Sequence, residues 1–121
     1  MEHGAKVVIA DIQDDLGHSV CKEIGVENEI SYVHCDVSNE PDVQNVVDTA
    51  VAKHGKLDIM FNNAAFGGNP DTPISEVEKD NSRRIFDVNV FGALLGAKHA
   101  ARFMVPAKKG SILFTSSVCS V

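Results

Sequence analysis

The chain has 121 residues, 44% of them hydrophobic and 23% charged, a size and balance that suit one ordinary globular domain. Its net charge of −6 excludes a general nucleic-acid or anionic-membrane binder, because both need a basic surface. No apolar run approaches the roughly 20 residues that cross a bilayer, and MEHGAKVVIAD does not read as a secretory signal.

Strand and helix patterns alternate along the chain. Lys6 to Ala10 (KVVIA) reads as a strand buried on both faces. Gln13 to Ile24 reads as a helix, with Leu16, Val20 and Ile24 at every fourth position and Gly25 as its stop. Glu29 to His34 is the second strand, and Tyr32 lies buried in it by pattern. Asp42 to His54 carries an apolar stripe of Val43, Val46, Val47, Ala50 and Val51, with Ser38 as its cap and Gly55 after its last turn. Leu57 to Phe61 is the third strand. A loop rich in glycine, asparagine and proline follows, then a long helix from Asp80 to Met104 that Pro106 ends. Ser111 to Ser116 is the fourth strand. This alternation predicts βαβ units and an α/β fold with a parallel, doubly wound sheet.

The cysteines (Cys21, Cys35, Cys119) are odd in number and widely spaced, and the five histidines lack metal-ligand spacing. Neither a disulfide framework nor a metal site is expected, and a reducing, cytoplasmic setting is the simplest home. In a doubly wound sheet, ligands bind beyond the carboxyl ends of the strands. Those ends carry Asp11, then Asp36 and Val37, then Asn62 to Ala65, then Ser116 and Ser117. An acidic residue at such a place accepts from ribose hydroxyls and repels a 2′-phosphate. With no Arg or Lys over positions 11 to 21, NAD is expected rather than NADP. Plainer readings exist for each residue. A strand-end Asp is often a helix cap, paired asparagines often make turns, and a mid-helix Asn89 ordinarily faces solvent. Gly92 and Gly96 suit close helix packing, and Arg83, Arg84, Lys108 and Lys109 read as solvated surface charge.

Taken as a set, VVIADI, HCDVS, GKLDIMFNNAA, DVNVFGALLGAKHAA and GSILFTSSV resemble the short-chain dehydrogenase/reductase family over the whole chain. The look is that of plant members of the secoisolariciresinol, borneol, xanthoxin and momilactone dehydrogenase type. This resemblance implies a partial Rossmann-type fold and NAD-dependent oxidation or reduction of a small alcohol or ketone. It assigns Asp11 to the adenosine ribose, Ile12 to cofactor binding, and Asp36 and Val37 to the adenine pocket. Asn62, Asn63, Ala64 and Ala65 would flank the cofactor, with Ala65 standing where the family has glycine. Asn89 would hold a relay water through its backbone carbonyl, where the helix is locally distorted, and Ser117 would bind the substrate oxygen.

The same resemblance implies an internal piece of a longer enzyme. The family's glycine-rich turn would precede Met1, and its Tyr-x-x-x-Lys pair would follow Val121. The strands at 6–10 and 57–61 would then lack their shared neighbour, and would either pair directly or part, leaving marginal stability. The helix at 80–104 matches one that makes oligomer interfaces in the family. A non-catalytic remnant binding NAD or a full-length subunit is the second reading. A phospho-receiver domain fails because Asn62 stands where a phosphoacceptor aspartate is needed.

Overall fold

The computed structural model describes residues 3–25 and 28–117. The end of the final stretch, including Cys119, therefore lies outside the described residues. Strand β1 (Val7–Asp11) pairs in parallel with β2 (Ile30–His34), in register from Val7↔Ile30 to Asp11↔His34. Helix α1 (Asp14–Ile24) connects them. Side chains alternate across a strand. Val33 packs on the buried group of Cys35, Val43 and Val46, whereas the ring of its neighbour Tyr32 lies against Gly17 of α1. Helix α2 (Glu40–His54) carries Val43 and Val46, so α1 and α2 cover opposite faces.

The second half repeats the plan. Strand β3 (Ile59–Asn62) pairs in parallel with β4 (Ser111–Phe114), from Ile59↔Ser111 to Asn62↔Phe114. Between them run a 3₁₀ turn (Ile74–Glu76), helix α3 (Lys79–Phe86), a π turn (Asp87–Gly92) and helix α4 (Ala93–Ala107). The strands form two separate two-stranded sheets, and β1 and β3 are not bonded to each other. Of the two expected outcomes, the halves part. The strands are accordingly half-buried or exposed, and Ile59 and Phe61 are each 60% exposed, not buried on both faces.

What joins the halves is the contact of α2 with α4. Val43, Val46, Val47 and Ala50 form the buried stripe of α2; Gly96, His99, Ala100 and Met104 form that of α4. A Cβ at Gly92 would stand 2.7 Å from Val37 Cγ2, and one at Gly96 would stand 2.8 Å from Met60 Cε and run into Asn62. The two glycines therefore serve close approach of the helix, as their spacing suggests.

Polar bonds cross the same seam. His99 is only 4% exposed and needs partners for its ring. Its Nε2 lies 3.0 Å from Glu40 Oε1 and its Nδ1 lies 3.0 Å from the Arg102 guanidinium. A guanidinium only donates, so Nδ1 accepts and Nε2–H donates to Glu40, which assigns the neutral tautomer. Lys98 also binds Glu40, and Arg102 donates to Asp48 Oδ1 at 2.8 Å.

Several expected boundaries shift for local reasons. Asn39, not Ser38, caps α2: its Oδ1 accepts from Asp42 N, while the Ser38 hydroxyl turns back to Asp36. The long helix expected from Asp80 to Met104 is broken by the π turn. Pro106 sits inside the last turn of α4 instead of ending it, and Lys108 closes that helix in a left-handed conformation at φ 51°. Gly25 and Gly55 close α1 and α2 at φ 63° and 79°, as expected. Tyr32 is half-buried, with its hydroxyl near both Asp11 O and Asp14 Oδ1 at 2.6 Å. β4 stops at Phe114, opposite the last residue of β3.

The seam carries a pH signature. Hydrogen bonds from Lys98 and then His99 hold the Glu40 carboxyl below its ordinary value of 4.5. A depressed folded pKa contributes stability above the unfolded value and loses it as pH falls through the folded one. Thermal melts of the native chain and of Glu40→Gln should therefore differ above pH 4.5 and converge below it. A gap that persists unchanged at lower pH would assign the difference to something other than the Glu40 charge.

Candidate functional site

The carboxyl ends of β1 and β3 meet at a cavity of about 140 Å³ between the half-sheets. Asp11 and Val37 line it from the first half, and Asn62, Asn63 and Ala64 from the second. Asp11 is exposed; its Oδ1 accepts from Gln13 N at 2.9 Å, which leaves Oδ2 as the oxygen open to another donor. Its backbone carbonyl accepts from Cys35 N.

Asp36 Oδ1 accepts from both the Ser38 hydroxyl (2.6 Å) and the Ser38 N–H (2.9 Å). The hydroxyl bond foremost, then the N–H bond, hold this carboxyl below the usual carboxylate range. It is a permanent anion near neutrality and accepts hydrogen bonds readily. Cys35 lies beneath the cavity, and burial pushes its thiol up to about 11, so it is a packing residue and not a nucleophile.

The asparagines on the other side are structural ties as well as wall. Asn62 Nδ2 donates to Leu113 O at 3.3 Å, and the Thr115 hydroxyl donates to Asn63 Oδ1 at 2.6 Å. Both bonds reinforce the β3–β4 pair at its carboxyl end. Asn89 does not simply face solvent: its Oδ1 accepts from Phe66 N at 2.7 Å and its Nδ2 donates to Phe66 O at 3.0 Å. One side chain thus offers the loop after β3 the donor and acceptor that a neighbouring strand would supply. Asn89 lies in the π turn, a departure from the regular ladder that recurs at functional places in helices.

Of the residues singled out from sequence, Asp11, Val37, Asn63 and Ala64 share the cavity wall; Ile12, Asp36, Ala65, Asn89 and Ser117 stand outside that lining. Ile12 is 53% exposed beside Asp11, and Ser117 is exposed just beyond β4. Two features escaped the sequence reading. Arg84, read as solvated charge, stacks its guanidinium 4.6 Å from the centre of the Phe66 ring. The second is the bonding of Asn89 to Phe66. Both depend on where the loop returns, and no local pattern encodes that. Among the described residues no cluster of His, Cys, Asp or Glu is placed to hold a metal, and no helix is long and apolar enough to cross a membrane.

Parallel βαβ halves with acidic and amide residues gathered at the strand ends define a partial Rossmann-type α/β unit. The family profile described as enoyl-(acyl carrier protein) reductase matches residues 1–121. The chain belongs to the short-chain dehydrogenase/reductase family. It is 64% identical over 117 residues to short chain aldehyde dehydrogenase 1 of Euphorbia lathyris, covering 97% of this chain and 41% of that protein. It is 53% identical over 120 residues to secoisolariciresinol dehydrogenase of Forsythia intermedia, covering 98% and 43%. A solved 7α-hydroxysteroid dehydrogenase, in complex with NADH and 7-oxo glycochenodeoxycholic acid, superposes with a TM-score of 0.86 at 32% identity. That match covers 97% of this chain and 45% of the other. The chain thus spans less than half the length of these relatives.

Asn89→Ala removes both bonds to Phe66 at once. At roughly 0.5–1.5 kcal/mol per bond, the Phe66 amide should exchange with solvent about 10- to 100-fold faster, with little change in β1 and β2. Unchanged exchange at Phe66 would mean that the loop is held by other contacts.

Proposed function

We propose that the chain carries part of the active site of an NAD-dependent oxidoreductase acting on a small alcohol or ketone. The supporting observation is the convergence of Asp11, Val37, Asn63 and Ala64, drawn from three strand ends in both half-sheets, on one cleft in a chain of this family. The dehydrogenase and reductase names of its relatives, and the NADH in the related structure, point the same way. At about 140 Å³ the cavity is smaller than the roughly 300–1,000 Å³ of typical ligand pockets, so these residues make one wall of a larger site.

When bound, the nicotinamide cofactor supplies or takes up the hydride. The residues present bind and orient. Asp11 offers Oδ2 to a ribose hydroxyl, with Ile12 beside it, and its charge disfavours a 2′-phosphate. Asp36 and Val37 make the adenine side: the ionised carboxylate accepts from an exocyclic amine and the valine packs on the ring. Asn63, Ala64 and Ala65 border the cofactor, and Asn63 is held in place by Thr115. Ser117 donates to the substrate oxygen from the end of β4. Asn89 fixes the loop at Phe66, while the π turn around it suits a backbone carbonyl that binds a relay water.

One observation favours a binding role for these 121 residues taken alone. Tyr32 is the only tyrosine, and its phenol is pushed up to about 12, by burial first and then by the bond to Asp14. A phenol shifted upward is a poor proton donor or acceptor near neutrality, and the residue four positions on is Asp36 rather than a lysine. The 121-residue chain should therefore bind NAD without turning substrate over. Exposed Phe86, Val90, Phe91 and Leu94 along the α3–α4 segment suit association with another subunit. A cytoplasmic setting agrees with an unpaired, buried Cys35.

The test is a chimera in which residues 1–121 replace the matching segment of the Forsythia secoisolariciresinol dehydrogenase. The hybrid should oxidise that enzyme's own substrate with NAD in preference to NADP. Ser117→Ala should lower kcat by about 100-fold or more, the scale of one lost transition-state hydrogen-bond donor. Activity that is indifferent to Ser117, or that prefers NADP, would overturn the assignment.

A further inference from the structure

The phenol of Tyr32 passes beneath α1 to the strand end that carries Asp11. Gly17 is the buried residue of α1, and a Cβ there would run into the Tyr32 ring, so glycine is what lets the ring through. His18 meets the same ring edge-on, with centroids 4.8 Å apart. Held in this way, the hydroxyl stands 2.6 Å from both the Asp11 carbonyl and Asp14 Oδ1. These two acceptors bracket the turn of Ile12 and Gln13 between β1 and α1. A phenol has one proton to donate, and a phenol pushed up to about 12 keeps it near neutrality. Asp11 and Asp14 therefore compete for that proton.

His34 decides the competition. Its Nδ1 lies 2.7 Å from the same Asp14 Oδ1. The bond from Tyr32 first, then that from His34, hold the Asp14 carboxyl below its ordinary value, so it stays an anion and only accepts. Nδ1 of His34 therefore carries a proton in both charge states of the ring. The bond to Asp14 foremost holds the imidazole above its usual 6.5; burial opposes this, and the charges of Asp14, of Asp42 on α2 and of Asp36 add to it. Once the imidazole is charged, it offsets Asp14, which then draws the phenol proton less, and the proton moves toward the Asp11 carbonyl.

We propose that Tyr32 is a positioning residue for the adenosine side of the cofactor: its hydroxyl ties down the β1–α1 turn, and the charge on His34 sets how tightly. This role rests on the cofactor reading above, in which Asp11 accepts from the ribose with Ile12 beside it. Asp11 Oδ1 is engaged with Gln13 N at 2.9 Å, so any movement of the turn carries the free Oδ2 with it. Tyr32 acts through Asp11 and leaves the hydride step alone. Cofactor affinity should accordingly rise as pH falls through the His34 midpoint.

The experiment is a pH titration by NMR of the 121-residue chain and of Tyr32→Phe, which keeps the ring against Gly17 and removes only the hydroxyl. The carbonyl-carbon shift of Asp11 reports the donors to that oxygen. In the native chain it should follow the His34 midpoint, which lies above the usual 6.5. In Tyr32→Phe, His34 should still titrate while the Asp11 carbonyl no longer follows it. Asp14→Asn should lower the His34 midpoint, because the partner that raises it is gone. Calorimetric titration with NAD should show binding about 2- to 10-fold weaker in Tyr32→Phe, the scale of one hydrogen bond, with the larger gap below the His34 midpoint. An Asp11 carbonyl that follows His34 equally in Tyr32→Phe, or NAD affinity equal to native at every pH, would overturn the role. NAD binding to neither chain would overturn the cofactor reading and the positioning role with it, while the carbonyl titration would still establish the tie.

Discussion

The seam between α2 and α4 decides the geometry of everything else. Among the described residues no backbone hydrogen bond joins the two halves, so the position of Asp11 and Val37 opposite Asn63 and Ala64 depends on how these helices sit on each other. Apolar burial at Val43, Val46, Val47, Ala100 and Met104 provides the attraction, but that attraction has no direction. The directional part comes from Glu40 of α2 to Lys98 and His99 of α4, and from Arg102 of α4 to Asp48 of α2, with Arg102 also holding His99 on its own helix. His99 can satisfy both ring nitrogens in only one tautomer, which fixes the helices along and about their axes. Exposed ion pairs alone are weak, and the buried imidazole in the middle makes this set specific.

A gap in the middle of the sheet explains several separate features. The strands have apolar sequences suited to full burial, yet they stand half-buried because one edge of β1 and one of β3 face a cleft. Glycines at 92 and 96 bring the helix close enough to Val37 and Asn62 to floor that cleft. Asn62, Asn63 and Thr115 then act as side-chain cross-links on a sheet of only two short strands, where backbone pairing alone is marginal. Asn62 and Asn63 also form a wall of the proposed cofactor site, so stability and the proposed binding draw on the same side chains.

Much of this was legible in the chain. Periodicity placed all four strands and the three helical regions, and residues singled out after the first three strands line one cavity. Resemblance over 121 residues pointed to the family, and the profile match upheld that membership. Local pattern could not reveal interactions between distant segments. Asn89 reads as an unfavourable helix interior residue until the Phe66 backbone is placed beside it. Arg84 reads as solvated charge until the Phe66 ring lies under it. Pro106 reads as a stop, yet at the last turn little helix remains to be broken, and Lys108 takes the left-handed closing position that glycine takes elsewhere. Ser38 and Asn39 are both good caps by type, and Asp36 decides between them by claiming the serine hydroxyl.

The most direct measurement is the set of residual dipolar couplings from the backbone amides of the whole 121-residue chain, compared with His99→Ala. If the seam holds the halves as one body, couplings from β1 and β2 and those from β3 and β4 will fit a single alignment tensor in the native chain. In the variant they should separate into two. Two tensors in the native chain, or one tensor that survives the loss of His99, would contradict the role assigned to the seam.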